Sequence, residues 1–223
     1  MLQKLNKRLI VSCQPCVGGP MDTPSIIAAM AQAAVLGGAA GVRIEGVVNV
    51  QTVRAVVDCP IIGIVKVDLV ESPVRITPFI QDINDLVSAG ADIVAVDATD
   101  RPRPETVAAA IETIRSLGIL SMADCSCLGD GINAQKLGAD ILGTTMSGYT
   151  TGEVPESPDL ELVSELAKLG SFVIAEGRYN TPDAAASAIL AGADSVVVGS
   201  AITRTEVVTG WFRDAITRDG IVS

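Results

Sequence analysis

Four times along the chain, a stretch of helical periodicity ends in Gly-Ala-x and an apolar run follows at once. The pattern reads Gly38-Ala39-Ala40 before Val42-Arg43-Ile44, and Gly90-Ala91-Asp92 before Ile93–Val96. It returns as Gly138-Ala139-Asp140 before Ile141–Gly143 and as Gly192-Ala193-Asp194 before Ser195–Val198. The four glycines stand 52, 48 and 54 residues apart. Each suits a helix C-terminus, where the chain needs a positive φ that glycine adopts without steric cost. A second apolar run lies between successive repeats, and one more precedes the first. The spacing predicts strands near 9–14, 41–46, 60–66, 93–98, 120–126, 141–146, 172–177 and 195–200. Helices are expected near 24–37, 50–57, 79–89, 104–117, 129–137, 159–169, 182–191 and 203–217. Thr181-Pro182 places an N-cap and a first-turn proline, and Asp82, Asp159 and Glu161 fall in early turns.

Continuous apolar strands that alternate with helices imply a parallel sheet covered by helices. Eight such units in 223 residues fit a single-domain (β/α)8 TIM barrel spanning 1–223. A doubly wound Rossmann sheet would put its glycine-rich turn after an early strand and at the start of a helix. Gly37-Gly38-Ala39-Ala40-Gly41 has the opposite polarity, ending a helix and opening a strand. No linker or shift in composition divides the chain.

Composition narrows the chemistry. Apolar residues make up 48% of the chain, charged residues 19% and aromatic residues 3%. Net charge is −10 and the pI is about 4.4, which argues against generic binding to nucleic acid or anionic membranes. An anionic substrate would then require a few arginines converging locally. Histidine is absent, so triads, histidine bases and His-ligated zinc are excluded. Acid–base work falls to Lys, Asp, Glu, Tyr or Cys. Five cysteines do not make a disulfide framework. Cys13 with Cys16 and Cys125 with Cys127 are expected to be structural side chains in the core, not metal ligands. The apolar run before Cys13 is too short for a signal peptide. The uncharged stretch Thr23–Val42 reads as a helix and strand, not a membrane span. Free thiols without an export signal suggest a cytoplasmic protein.

In such barrels the active site lies at the C-terminal ends of the strands. The polar residues that end apolar strands are therefore informative: Gln14, Arg43 with Glu45, Lys66, Asp97, Asp124, Thr144-Thr145 and Glu176-Gly177-Arg178. Lys66 ends Ile61-Ile62-Gly63-Ile64-Val65, which has no other polar side chain. By strand alternation it shares a face with Ile62 and Ile64. At the top of such a column, desolvation favours the neutral amine that a general base or Schiff-base nucleophile needs. Glu176 ends its own apolar strand and can act as an acid–base partner or orient Lys66. Barrels of this class commonly bind phosphate in the loops after strands seven and eight. Here those loops carry Gly177 and Arg178, then Gly199, Ser200 and Arg204. If Gln14 and Asp124 point inward, Cys13 and Cys125 point outward to the helices.

Several of these segments together resemble one family. They are Leu9–Gln14, Arg43 with Glu45-Gly46, Pro60–Lys66, Met122-Ala123-Asp124, Thr144–Thr150, Glu176–Pro182 and Gly199–Arg204. The chain is similar to N-acetylmannosamine-6-phosphate 2-epimerases, also called N-acylglucosamine-6-phosphate 2-epimerases, from Leu9 to about Trp211. It departs at Val67, where the family often has a basic residue. The resemblance implies a cofactor-independent sugar epimerase of bacterial sialic-acid catabolism, acting on a phosphorylated amino sugar. It implies Lys66 as catalytic acid–base and Glu176 as its partner, with Gln14, Arg43 and Asp124 contacting the sugar. Gly177, Arg178, Gly199, Ser200 and Arg204 take the phosphate side, no metal is required, and a homodimer is expected. Two other readings stay open: a lyase in which Lys66 forms a Schiff base, and a non-catalytic phosphosugar sensor.

Overall fold

The computed structural model describes residues 1–150, 152 and 154–218. Eight parallel strands close into a barrel in sequence order. They are β1 (Arg8–Ser12), β2 (Gly41–Glu45), β3 (Ile61–Ile64), β4 (Ile93–Asp97), β5 (Leu120–Asp124), β6 (Ile141–Gly143), β7 (Phe172–Glu176) and β8 (Ser195–Val198). Helices α2 (Pro24–Leu36), α3 (Val47–Arg54), α4 (Ile80–Ser88), α5 (Val107–Ser116), α6 (Leu128–Lys136), α7 (Leu160–Ala167) and α8 (Pro182–Leu190) follow the first seven strands. This is the (β/α)8 barrel that the repeat implies.

Strand alternation sorts the side chains. Ile10, Ile62, Ile93, Met122, Ile174 and Val197 fill the barrel interior as one cluster. Their neighbours Val11, Val42, Ile61, Val94, Ala123 and Val173 face outward into the helix layer. Cys13 and Cys125 are buried in that outer layer, as alternation predicts. Burial, together with nearby Cys59, pushes the Cys13 thiol up to about 12. The expectation of two fully buried pairs needs correcting at the second members. Cys16 is half-buried and Cys127 is exposed, because both lie in loops beyond the strand tops. No helix among the described residues is long and apolar enough to cross a membrane.

The Gly-Ala-Asp repeat has a structural cause. Gly38, Gly90, Gly138 and Gly192 all have positive φ, from 89° to 113°. At each, the glycine N–H bonds the carbonyl three residues back and the next alanine N–H bonds the carbonyl five back, as in Gly90 to Val87 and Ala91 to Leu86. That pair of bonds stops the helix and turns the chain into the next strand. The aspartate then clips the preceding strand. Asp92 accepts from the N–H of Ile61, Asp140 from Ser121 and Asp194 from Val173, at 2.9, 2.8 and 2.8 Å. The first repeat has Ala40 instead, whose own N–H donates to Leu9.

Three differences from the expected elements matter. A short helix α1 (Leu2–Leu5), invisible in the periodicity, places Leu5 fully buried among the interior residues at the N-terminal end of the barrel. The strand expected at 60–66 ends at Ile64, because Lys66 pairs instead with Ile76 in an antiparallel bridge. The helix expected at 203–217 is two helices, α9 (Ser200–Thr203) and α10 (Thr205–Arg218), broken at the non-helical Arg204.

The clip can be tested at Asp140, whose carboxylate accepts from both the N–H and the hydroxyl of buried Ser121, each at 2.8 Å. Asp140→Ala leaves both donors without that partner and should cost about 1–3 kcal/mol in urea denaturation. An unchanged midpoint would show that the aspartate is not a structural clip.

Candidate active site

A cavity of about 520 Å³ opens at the C-terminal ends of the strands. Its floor is an ion cluster built by three strand ends. The Arg43 guanidinium, 1% exposed, lies between two carboxylates. Its Nη2 donates to Asp124 Oδ2 at 2.6 Å, and its Nη1 to Asp124 Oδ1 at 3.2 Å and to Glu176 Oε2 at 2.7 Å. The Thr145 hydroxyl donates to Asp124 Oδ1 at 2.6 Å and reaches Glu176 Oε2 at 3.3 Å. The backbone beside this cluster is closely covered. A Cβ on Gly143 would meet Met122 Cε at 2.5 Å and Asp124 Oδ1 at 3.2 Å, so a larger residue there would have to displace the end of the methionine.

The cluster sets the electrostatics above it. Burial works against the charge on Arg43, but Asp124 and Glu176 more than offset this and hold it positive. Burial, reinforced by Asp124, raises the Glu176 carboxyl above the usual carboxylate range despite the pull of Arg43. Lys66 is open to the cavity yet crowded by protein on its other sides. Desolvation, aided by Arg43 and Arg204, lowers its amine below the usual lysine range against the opposing pull of Glu176. Among the described residues Lys66 has no ion-pair partner within salt-bridge distance. Its Nζ donates to Gln14 Oε1 at 2.5 Å, and Gln14 Nε2 donates to Ser12 Oγ at 2.8 Å. Arg204 Nε is tied to the Gln14 carbonyl at 2.9 Å. One short chain of contacts thus joins the tops of β1 and β3 to the break between α9 and α10.

Gln14, Arg43, Lys66, Glu176, Gly177, Arg178, Gly199, Ser200 and Arg204 all line this one cavity. Asp124 does not. It is the fully buried member of the floor cluster, with both oxygens engaged by Arg43 and Thr145. Arg178, at φ 64°, spends two donors on loop carbonyls, Nε to Ser157 at 2.7 Å and Nη1 to Ser147 at 2.6 Å. It therefore also ties the loop after β6 to the loop after β7.

Sequence reasoning missed Arg75 and Arg101 on the opposite wall. The signal for Arg101 was present in Asp97. That buried carboxylate ends β4 and accepts from Arg101 Nη2 at 2.6 Å and from the Thr99 hydroxyl at 2.6 Å. Nothing in the periodicity pointed to Arg75, which arrives on a loop. Among the described residues, no group of three or more acidic or cysteine side chains is placed to hold a metal ion.

Comparison with known proteins gives the arrangement its context. The family model described as "Putative N-acetylmannosamine-6-phosphate epimerase" matches residues 27–218. The chain belongs to this epimerase family. A curated relative from Actinobacillus pleuropneumoniae serotype 5b, "Putative N-acetylmannosamine-6-phosphate 2-epimerase", is 60% identical over 97% of this chain and 94% of its own. A relative of the same name from Haemophilus influenzae is 57% identical over 97% and 95%. The solved N-acetylmannosamine-6-phosphate 2-epimerase of Clostridium perfringens superposes with a TM-score of 0.93, at 42% identity over 96% of each chain. A thiamine phosphate pyrophosphorylase from Pyrococcus furiosus, at 20% identity and TM-score 0.61, shares the fold alone.

In this epimerase-family chain the floor should fail sharply when its cation is removed. Arg43→Met leaves two buried carboxylates without their counter-charge. Urea denaturation at neutral pH should show a loss of about 3–5 kcal/mol. A loss below about 1 kcal/mol would mean that water already solvates Asp124 and Glu176, and the floor would not be an ion cluster.

Proposed function

We propose that this protein inverts C2 of N-acetylmannosamine 6-phosphate to give N-acetylglucosamine 6-phosphate, by proton transfer through Lys66 and without a metal or nucleotide. The observation that carries the reading is Lys66 itself. It is a lysine with a depressed pKa and no ion-pair partner among the described residues, facing a cavity whose other wall bears Gly177, Gly199, Ser200 and Arg204. Lowering the amine's pKa raises the share of unprotonated base available to abstract a proton from a carbon acid at neutral pH.

The C2 hydrogen becomes acidic when the sugar ring opens and C1 is an aldehyde. Glu176, raised above the usual carboxylate range, exchanges the proton that ring opening needs. Lys66 Nζ then takes the C2 proton. The C–H electron pair forms the C1–C2 double bond, and the carbonyl pair moves onto O1. The Glu176 carboxyl delivers a proton to the opposite face of C2, which restores the aldehyde with inverted configuration, and the proton held by Lys66 returns to Glu176 through solvent. Arg43 remains charged beneath the reacting carbons, and Asp124 acts through Arg43 and Thr145 without touching the sugar. Gln14 orients Lys66 Nζ. The 6-phosphate sits against Gly177, Gly199 and Ser200 with Arg204 and Arg178, which supply positive charge at the rim. Phe212 and Ile216 on α10 are exposed at 68% and 57%, and this apolar surface supports a homodimer.

Proton NMR in heavy water tests the reaction. The C2 position of N-acetylmannosamine 6-phosphate should take up solvent deuterium during turnover, and Lys66→Arg should abolish both exchange and epimerisation, because guanidinium stays protonated. Epimerisation without label would overturn the proton-transfer route.

Arg204→Ala tests the phosphate side. A contact remote from C2 binds ground and transition states about equally. KM should rise about ten- to a hundred-fold, the loss of one charge-assisted contact, and kcat should fall by less than KM rises, since Arg204 also helps to lower the Lys66 amine. Unphosphorylated N-acetylmannosamine should respond little. An unchanged KM for the phosphorylated sugar would place the phosphate elsewhere.

A further inference from the structure

Three described non-glycine residues have positive φ: Lys7, Thr77 and Arg178. Thr77 is the one that is both β-branched and buried, at φ 47° and 4% exposure. A β-branched residue in the left-handed region is a genuine outlier, and it persists only where the surroundings over-determine it. Three hydrogen bonds do so. The Thr77 N–H donates to the Val65 carbonyl at 2.7 Å. Its hydroxyl accepts from the Val65 N–H at 3.3 Å and donates to the Ala95 carbonyl of β4 at 2.7 Å. One residue therefore grips both backbone groups of Val65, the N–H through its hydroxyl and the carbonyl through its own main-chain N–H, and the hydroxyl fastens them to β4.

Val65 immediately precedes Lys66. The β3–β4 ladder stops at Gly63 opposite Val94. From there a short antiparallel ribbon takes over, with Lys66 bridged to Ile76 and the Val67 N–H donating to the Arg75 carbonyl at 3.0 Å. The Ile76 carbonyl accepts from the Asp97 N–H at 3.1 Å, which ties the returning arm to the top of β4. The Lys66 main chain thus leaves the barrel under control of the ribbon, and Thr77 is the residue at which the ribbon is anchored. A turn that merely needed a left-handed residue would be satisfied by Gly or Asn. Thr supplies a hydroxyl that both donates and accepts, which glycine lacks.

We propose that Thr77 is a positioning residue for the reaction: its strained backbone and bridging hydroxyl aim Lys66 at the substrate carbon. This rests on the reading of Lys66 as the base. A displacement near 1 Å in such a group can cost on the order of 100-fold in rate without altering binding.

The test uses the full chain, with N-acetylmannosamine 6-phosphate and its C2-deuterated form. Thr77→Val keeps the shape and removes the hydroxyl. Thr77→Gly removes the hydroxyl and relieves the backbone, so it serves even where the Val variant does not fold. Thr77→Ser keeps the hydroxyl. Val and Gly should lower kcat about 10- to 100-fold with KM within about twofold, and should enlarge the deuterium isotope effect on kcat, because proton transfer becomes slower relative to other steps. Ser should restore kcat to within about threefold of the parent, by keeping the geometry that supplies this rate factor. Parent-like kcat in the Gly variant, a loss confined to KM, or equal damage from Ser and Val would each overturn the proposal. Lys66→Ala run in parallel separates the two claims. If that variant stays active, the reading of Lys66 fails. If it is inactive while Thr77→Gly behaves as the parent, only the role of Thr77 fails.

Discussion

The pairing of Arg43 with Asp124 and Glu176 underlies the rest of the site. It joins the ends of β2, β5 and β7 across the barrel axis, where the hydrophobic interior gives way to the cavity. A buried guanidinium is tolerated there because two carboxylates face it, and the carboxylates are tolerated because it faces them. The interior aliphatic layer ends beneath this cluster, and the reacting groups begin above it. Its charge also reaches upward. Arg43 helps to hold the Lys66 amine toward its neutral form and opposes the burial that raises Glu176. A single structural ion cluster therefore tunes both groups that the proposed chemistry uses.

The chain carries ten net negative charges, yet its cavity is lined by Arg43, Lys66, Arg75, Arg101, Arg178 and Arg204. Acidic residues elsewhere are screened and contribute little at the mouth, where a recessed, low-dielectric wall concentrates the local field. Several of the arginines are held by fixed partners: Arg101 by Asp97, Arg178 by two loop carbonyls, and Arg204 by the Gln14 carbonyl. Pre-organised donors of this kind lose little freedom when an anion arrives.

Much of this was legible without coordinates. Strand alternation alone places Gln14, Arg43, Lys66 and Glu176 on one face, and it sends Cys13 and Cys125 to the other. Strand ends in a barrel converge, so residues far apart in the chain could be assigned to one cavity. The depth of Asp124 was not legible. Its inward direction followed from alternation, but its burial depended on Arg43 reaching across the barrel to cover it. Arg75 was equally hidden, since it arrives on a ribbon that the run 60–66 conceals by reading as one unbroken strand.

What the sequence determined by itself was the fold and the set of strand ends. The Gly-Ala-Asp repeat encodes a helix stop, a turn and a clip on the preceding strand, all made within a few dozen residues of one another. Local hydrogen bonding of that kind is written in residue order. What only the tertiary structure decided was depth and aim: Asp124 buried within the floor, Arg178 spent on carbonyls, and Thr77 gripping the residue before Lys66. Each of these depends on side chains or loops meeting across the barrel mouth, and residue order sets no distance between atoms that meet only after the barrel has closed.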